Sequence, residues 1–316
     1  MSFPFNVKQA NICQTDDDIK EPETKRAKMN DFPFNISGCT AVEIKKPEPK
    51  VNLFAPLERL PLIPRDPPIE MADLLERIKV TPEEIAEIAT LVQGTDAWLK
   101  SREFRLTGSN FGAAVGLNEH STPEKLVKEM LWNTFKGNAA TKWGSDHEDV
   151  CRDQYLALRR SEIGSVHGVQ IPIDQTTDPI VAIDIEETGL LINIERPWLG
   201  NSPDGIIIVT FKSGRVEKGL LEIKCPYSKR FSKTFYNSIP TYYIAQIQGL
   251  MGNLPLNLKW CEFVCWSPRI MKVTHVEFDE IFWRDILLPG LTTFYFELYL
   301  PSLLKKENNL LYPGEI

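Results

Sequence analysis

Apolar positions along the chain follow two different periods, with the change near residue 165. Helical signals begin near Ile69. Thr81 followed by Pro82, Glu83 and Glu84 reads as a capping box with proline at the first helical position, which predicts a helix from about 82 to 92. A second helix is expected from about Asp96 to Phe104, then a turn at Thr107 and Gly108 and a short helix from Ser109. Thr122 and Pro123 repeat the N-cap signal ahead of EKLVKEMLW. From about Ala139 to Arg160, apolar or small residues recur at helical spacing through Trp143, Gly144, His147, Cys151, Tyr155 and Leu158. Glu148 falls on the edge of that stripe, an unusual place for an acid.

Beyond Ser165 the period becomes that of strands. VHGVQIPI, IVAIDI, GLLINI, GIIIVTF and GLLEIKC are short, rich in Val and Ile, and separated by turn residues. A helix fits Thr241 to Gly252, strands fit LKWCEFVCW and KVTHVEF, and an aromatic amphipathic helix is expected from about Asp279 to Leu300. Helices on both sides of a central run of strands predict an α/β or α+β domain over 69–316. Residues 1–68 show no sustained period, and their Pro, Asp, Lys and Asn content predicts a disordered tail. Lys25, Arg26 and Lys28 within it read as a solvated charge run or as a nuclear import signal.

Composition narrows the function classes. A chain of 316 residues with 42% hydrophobic content can bury a full core. It has no apolar run of about 18 residues, and MSFPFNVKQANICQTDDD lacks a secretory pattern, so an intracellular protein of the nucleus or cytoplasm is expected, with no membrane partner. Six scattered cysteines fit reduced thiols, and without a CxxC pair no zinc site is expected. A net charge of −7 argues against a protein that coats nucleic acid non-specifically. It leaves room for a site that gathers carboxylates around a divalent cation.

Such a site has candidates. Asp204 lies in GNSPDGIIIV, and GLLEIKCP places Glu222 and Lys224 one residue apart, hence on one face of a strand. A hairpin turn near Ser213 brings Asp204 opposite them. Two carboxylates and an ammonium around one point suit Mg²⁺ or Mn²⁺ and the activation of water. The alternative is a surface Glu–Lys pair on an edge strand with Asp204 in a turn, and the D…ExK string alone does not decide between the two.

The flanking motifs carry a resemblance. QGTDAWLKSREFRLTGS, with Trp98, Arg102, Thr107 and Ser109, then WGSDHED, GNSPDG, LEIKCP and YYIAQIQGLM, occur in an order similar to that of the lambda exonuclease and YqaJ-type viral recombinase (alkaline exonuclease) family of PD-(D/E)XK nucleases. The resemblance implies a restriction-endonuclease-like core with a central mixed sheet flanked by helices. It implies Glu148, Asp204, Glu222 and the Ile223 carbonyl as ligands of Mg²⁺ or Mn²⁺, Lys224 as the catalytic lysine, and Gln246 beside the reacting water or phosphate. It further implies that Arg102, Ser109 and Ser202 hold a terminal 5′-phosphate, with Tyr243 at another active-site position.

The activity so implied is 5′ to 3′ digestion of double-stranded DNA ends in recombination, repair or nucleic-acid processing. DNA is the implied partner, together with a homo-oligomer, a trimer in the phage enzyme, and a recombination partner protein. A structure-specific endonuclease, a single-strand or RNA nuclease, and a non-catalytic DNA-binding module are the alternatives. The interval 174–195 is longer than the family's usual connection and suggests an inserted hairpin, and the N-terminal tail has no counterpart in the phage enzyme.

Other residues stay open on sequence alone. Arg102 is either a phosphate ligand or a solvated helix charge, and Arg105 is close enough to be confused with it. His147 reads as packing beside Glu148. CPYSKRFSKTFY mixes Lys229, Arg230 and Lys233 with Tyr227, Phe231 and Phe235, and reads equally as a strand-tracking surface or a solvated loop with core anchors.

Overall fold

A computed structural model describes residues 7–13 (backbone only), 61–132 and 137–316. The strands are β1 (Val7–Cys13), β2 (Leu106–Thr107), β3 (Ile180–Glu186), β4 (Leu199–Gly200), β5 (Gly205–Phe211), β6 (Val216–Lys224), β7 (Trp260–Ser267) and β8 (Ile270–Glu277). The helices are α1 (Met71–Glu76), α2 (Pro82–Ala89), α3 (Asp96–Ser101), α4 (Phe111–Ala114), α5 (Pro123–Trp132), α6 (Ala139–Glu162) and α7 (Thr241–Asn253). A helical run over 280–307 follows. The six-stranded sheet has the order β1-β8-β7-β6-β5-β3, in which only β6 and β7 run parallel. It is thus a central mixed sheet flanked by helices.

The parallel pair follows from the connection between its strands. β6 leads through a loop and α7 into β7, a crossover that covers one face of the sheet, whereas the tight turn at Ser213 and Gly214 forces β5 and β6 antiparallel. On the α7 face Ile206, Leu220, Cys261, Phe263 and Val276 pack with Ile244, Ile247 and Leu250. On the other face Ile207, Val209, Leu221, Ile223 and Val264 pack with Cys151 and Tyr155 of α6. Every residue of β7 is buried, as expected of a strand covered on both faces. A third cluster joins Phe111, Leu126, Val127 and Leu131 to the C-terminal run through Trp283, Leu287, Leu291 and Tyr295.

The capping signals mark true helix starts. The Thr81 hydroxyl accepts from Glu84 N, and the Glu84 carboxylate accepts from Thr81 N at 2.8 Å. At α6 the cap is Asn138, whose carboxamide oxygen accepts from Ala140 and Thr141. Two expected strands need correction. In VHGVQIPI, Val169 and Ile171 are buried as the alternation requires, but Pro172 offers no N–H and Ile173 N closes back onto Ile171 O at 2.8 Å, so the segment is a loop. In GLLINI, Leu190 and Ile192 are buried, yet only a single bridge, Leu191 to Asn201, forms before Asn193 accepts from Glu195 N and turns the chain.

The interval 174–195 holds one strand, β3, paired with β5, in place of an inserted hairpin. The C-terminal helix runs past its expected end to Glu307 through two π-type segments, Trp283–Leu287 and Phe294–Tyr299. Pro289 and Pro301, which lack an N–H, stand shortly after each of them. Of the tail expected over 1–68, Val7–Cys13 instead forms an edge strand, whose backbone takes up the open hydrogen-bonding edge of β8 from Val276 to Ile270. Lys25, Arg26 and Lys28 lie outside the described residues.

A buried ion network holds α6 to the sheet. The Arg159 guanidinium, 1% exposed, donates to Glu262 on β7 and at 3.0 Å to Glu162, and the second Glu262 oxygen faces His275 Nδ1 at 3.1 Å. Removing one partner of such a group leaves an uncompensated charge in the core.

α7 is held by close packing at Gly249. A Cβ there would lie 2.3 Å from the Phe111 ring, a contact real side chains do not make. Gly249→Ala is expected to destabilise the fold by about 1–3 kcal/mol through overpacking. The check is the urea midpoint, and an unchanged midpoint would refute the close approach.

Candidate active site

Antiparallel pairing of Gly205 with Leu221 brings Asp204, just before β5, opposite Glu222 on β6. Asp204 Oδ2 accepts from Ile223 N at 2.5 Å, which fixes the carboxylate across the strand. Glu222 is fully buried on an interior strand, so the reading of a surface pair on an edge strand does not hold. One of its oxygens, Oε1, accepts from Lys224 Nζ and from Gln246 Nε2, the latter at 2.6 Å. The other, Oε2, is buried without a hydrogen-bond partner. A carboxylate oxygen left bare in a low-dielectric interior costs free energy unless something cationic meets it.

Gln246 and Tyr243 come from α7, one turn apart, and the Lys224 ammonium lies 5.2 Å from the centre of the Tyr243 ring. Burial raises the Tyr243 pKa, which keeps its hydroxyl protonated. Glu148 arrives from the opposite face, on α6. Its Oε1 accepts from Arg152 Nη2 at 3.2 Å, and the same guanidinium donates through Nε to the Asp204 carbonyl at 3.1 Å and pairs with Glu187 at 3.2 Å. Arg152 therefore ties the helix carrying Glu148 to the strand entrance carrying Asp204. The sequence reading passed over it, although an arginine one helical turn from an inward acid was a usable signal.

The electrostatics agree with the geometry. Burial, then repulsion from Asp204, pushes the Glu148 pKa up to about 7, and the same causes push Glu222 up to about 8. Burial also raises Asp204, against the pull of Lys224. Burial disfavours the Lys224 ammonium, but Glu222 and Asp204 outweigh it and its pKa rises. Each carboxylate is turned toward its own protein donor, and among the described residues no three acidic, histidine or cysteine side chains converge as a ready cage for a metal ion. The donor chemistry nevertheless fits a hard cation: three mutually repelling carboxylates, one oxygen of which has no partner.

A second group adjoins the first. Trp98 Nε1 donates to Ser202 Oγ at 3.2 Å, and the Arg102 guanidinium lies 4.1 Å from the Trp98 ring centre and donates to Thr107 Oγ1 at 3.3 Å. Burial pushes the Arg102 pKa down to about 10, and no carboxylate pairs with it among the described residues. Arg105 is its opposite, spent on the backbone carbonyls of Ser101, Ile78 and Pro197. Ser202 stands two residues before Asp204, so the two groups are roughly 7 Å apart along the chain. Ser109, in the turn after Thr107, is exposed and makes no hydrogen bond to Arg102 or Ser202. His147 stacks on Trp143 at 3.7 Å with Nδ1 against Trp143 O at 2.8 Å, a packing arrangement.

For Glu148, Asp204 and Glu222 the folded-state pKa lies above that of the unfolded chain. The folded state then binds more protons across the interval between, and stability falls as pH rises through it. In EDTA the melting temperature is expected to fall between about pH 5 and about pH 8.5, and Glu222→Gln to flatten that fall. The difference between the two proteins isolates this site, and parallel curves would contradict the shift.

Residues 97–252 match the YqaJ-like viral recombinase domain. Protein D345L of African swine fever virus, strain Badajoz 1971 Vero-adapted, is 29% identical over 188 residues, 52% of this chain and 48% of the viral protein. D345L of the Pretoriuskop isolate is 28% identical over the same shares. The chain spans about half the length of these curated relatives. A solved structure titled "Crystal structure of SSO0001" aligns with 77% of this chain and 95% of its own at 12% identity, with a TM-score of 0.32, too low to establish a shared fold. No helix among the described residues is long and apolar enough to cross a membrane. The segment that matches the YqaJ-like viral recombinase domain, residues 97–252, carries every side chain of the two groups above.

Proposed function

We propose that this chain is a divalent-metal-dependent deoxyribonuclease of the PD-(D/E)XK type that digests duplex DNA from its 5′ ends, in recombination or repair. The observation that carries the reading is Glu222: a carboxylate at the centre of the sheet with one oxygen held by Lys224 and Gln246 and the other without a partner. The match of residues 97–252 to a viral recombinase domain supports DNA as the substrate.

Glu148, Asp204, Glu222 and the Ile223 carbonyl would hold Mg²⁺ or Mn²⁺. Such a cation, when bound, polarises the phosphate and neutralises charge that develops in the transition state. The protein's own groups do the rest. Lys224, charged at neutral pH, stabilises the phosphate oxygens as negative charge builds on them. Gln246, held by Glu222, presents a fixed dipole to the attacking water. Arg102 and Ser202 take the terminal 5′-phosphate, whose charge restores to Arg102 the partner that its burial withholds. Seating the end there sets the scissile bond against Asp204, two residues further on.

Linear duplex DNA with a 5′-phosphate or a 5′-hydroxyl, incubated with Mg²⁺, Mn²⁺ or EDTA, tests this directly. Metal-dependent mononucleotide release that disappears in Glu222→Ala is expected, and binding without cleavage under every condition would sink the enzyme reading. Arg102→Ala is expected to reduce the preference for the phosphorylated end by about tenfold or more, the worth of a charge-assisted hydrogen bond. Cleavage of closed-circular DNA would move the reading to an endonuclease.

A further inference from the structure

Between Glu222 and Glu262 the chain contains no acidic residue, in a protein that carries 43 acids and a net charge of −7. The first part of that stretch leaves the candidate active site directly: Lys224 is followed by Cys225, whose Sγ donates to His147 O at 3.7 Å, and then by Tyr227, whose ring meets Trp143 edge-on at 6.1 Å. Trp143 and His147 belong to the first turns of α6, the helix that bears Glu148. The loop is thereby fixed to the same helix as the carboxylate.

On that base the side chains form a layered stack open to solvent. The Arg230 guanidinium lies 3.8 Å from the Tyr227 ring centre and 4.7 Å from that of Phe231, and its Nη1 donates to Tyr227 O at 2.8 Å. No carboxylate pairs with Arg230 among the described residues. Phe231 is 69% exposed, whereas Phe235, four residues on, is buried in the core. The two phenylalanines therefore differ in kind. Phe235 anchors the loop, and Phe231 shows water an aromatic surface beside an unpaired cation.

We infer that Tyr227, Arg230 and Phe231 form a platform for single-stranded DNA beside the active site, with a base stacked on Phe231 and backbone phosphates drawn to Arg230 and its neighbour Lys229. The inference rests on the nuclease reading for the identity of its ligand. A flat aromatic face next to a cation suits a π-surface carried on a polyanion, and the acid-free stretch matches the charge of such a chain. Inside a duplex the base faces are covered by their neighbours, so an unpaired strand offers what this surface can take. A strand separated from its complement at the active site would pass over it.

The test uses the full chain in EDTA, so that binding is read apart from cleavage. Fluorescence anisotropy measures the affinity for labelled oligothymidine and for a blunt duplex of equal length, with wild type, Phe231→Ala, Phe231→Trp and Arg230→Ala. Phe231→Ala is expected to weaken oligothymidine binding by about fivefold or more, the cost of one lost base–aromatic stack, with a smaller effect on the duplex. Phe231→Trp retains the affinity, and Arg230→Ala lowers it with a shallower salt dependence. Melting temperatures equal to wild type exclude misfolding, since Phe231 is exposed. Equal affinity of wild type and Phe231→Ala for oligothymidine, or no measurable binding by the wild type, overturns the platform. A wild type that binds strand through Phe231 but releases no nucleotide with Mn²⁺ would instead refute the nuclease reading and leave the platform standing.

Discussion

A carboxylate buried at the centre of a sheet is a burden that the surrounding structure must carry. Glu222 lies between two neighbouring strands and is fully removed from water, and each nearby feature answers to its charge: Lys224 two residues along on the same face, Gln246 reaching from α7, and Asp204 held away by the Ile223 amide. The balance is incomplete, since one oxygen has no donor, and burial, then repulsion from Asp204, raises the pKa of Glu148 to about 7 and that of Glu222 to about 8. Ordinary cores avoid such arrangements because the transfer of an unpaired ion out of water outweighs the packing it permits. Its persistence is easier to understand as a demand of chemistry than of folding.

The scaffold supplies rigidity where that demand falls. The parallel pair β6 and β7 puts the acid in the most deeply covered part of the sheet, and the crossover that makes the pair parallel is the helix that supplies Gln246 and Tyr243. Close contact between Gly249 and Phe111 seats that helix. On the other face, α6 brings Glu148 to the same end of the strands. The nearby pocket of Arg102, Trp98 and Ser202 is built on α3 and the approach to β5, so both groups share the segment from Ser202 to Asp204.

Most of the candidate site could be read in the sequence because it lies on elements whose period is plain. Alternation in GLLEIKCP sets Glu222 and Lys224 on one face, and the turn at Ser213 sets Asp204 opposite. What could not be read depends on through-space partners. VHGVQIPI and GLLINI have the alternation of strands and bury the expected residues, but a strand also needs a neighbour with free backbone groups, which alternation does not encode. Val7–Cys13 fails in the other direction: its composition is that of a tail, and the open edge of β8 makes it a strand. Hydrogen-bond partners separate Arg102 from Arg105, and burial separates Phe231 from Phe235, pairs that the sequence leaves equivalent. Arg152 was missed because its meaning lies in touching both Glu148 and the Asp204 backbone.

The Arg159 network gives α6 a mechanical character. Arg159 is clamped to the sheet eleven residues beyond Glu148, so that the intervening helix is a rigid arm of roughly 16 Å. A tilt of about 5° at the clamp swings the carboxylate by about 1.4 Å, about half the length of a hydrogen bond. Arg152 grips the arm within about 6 Å of its tip, where leverage against such a swing is greatest. The accuracy of the carboxylate's aim is therefore set by two arginines acting as pivot and stay.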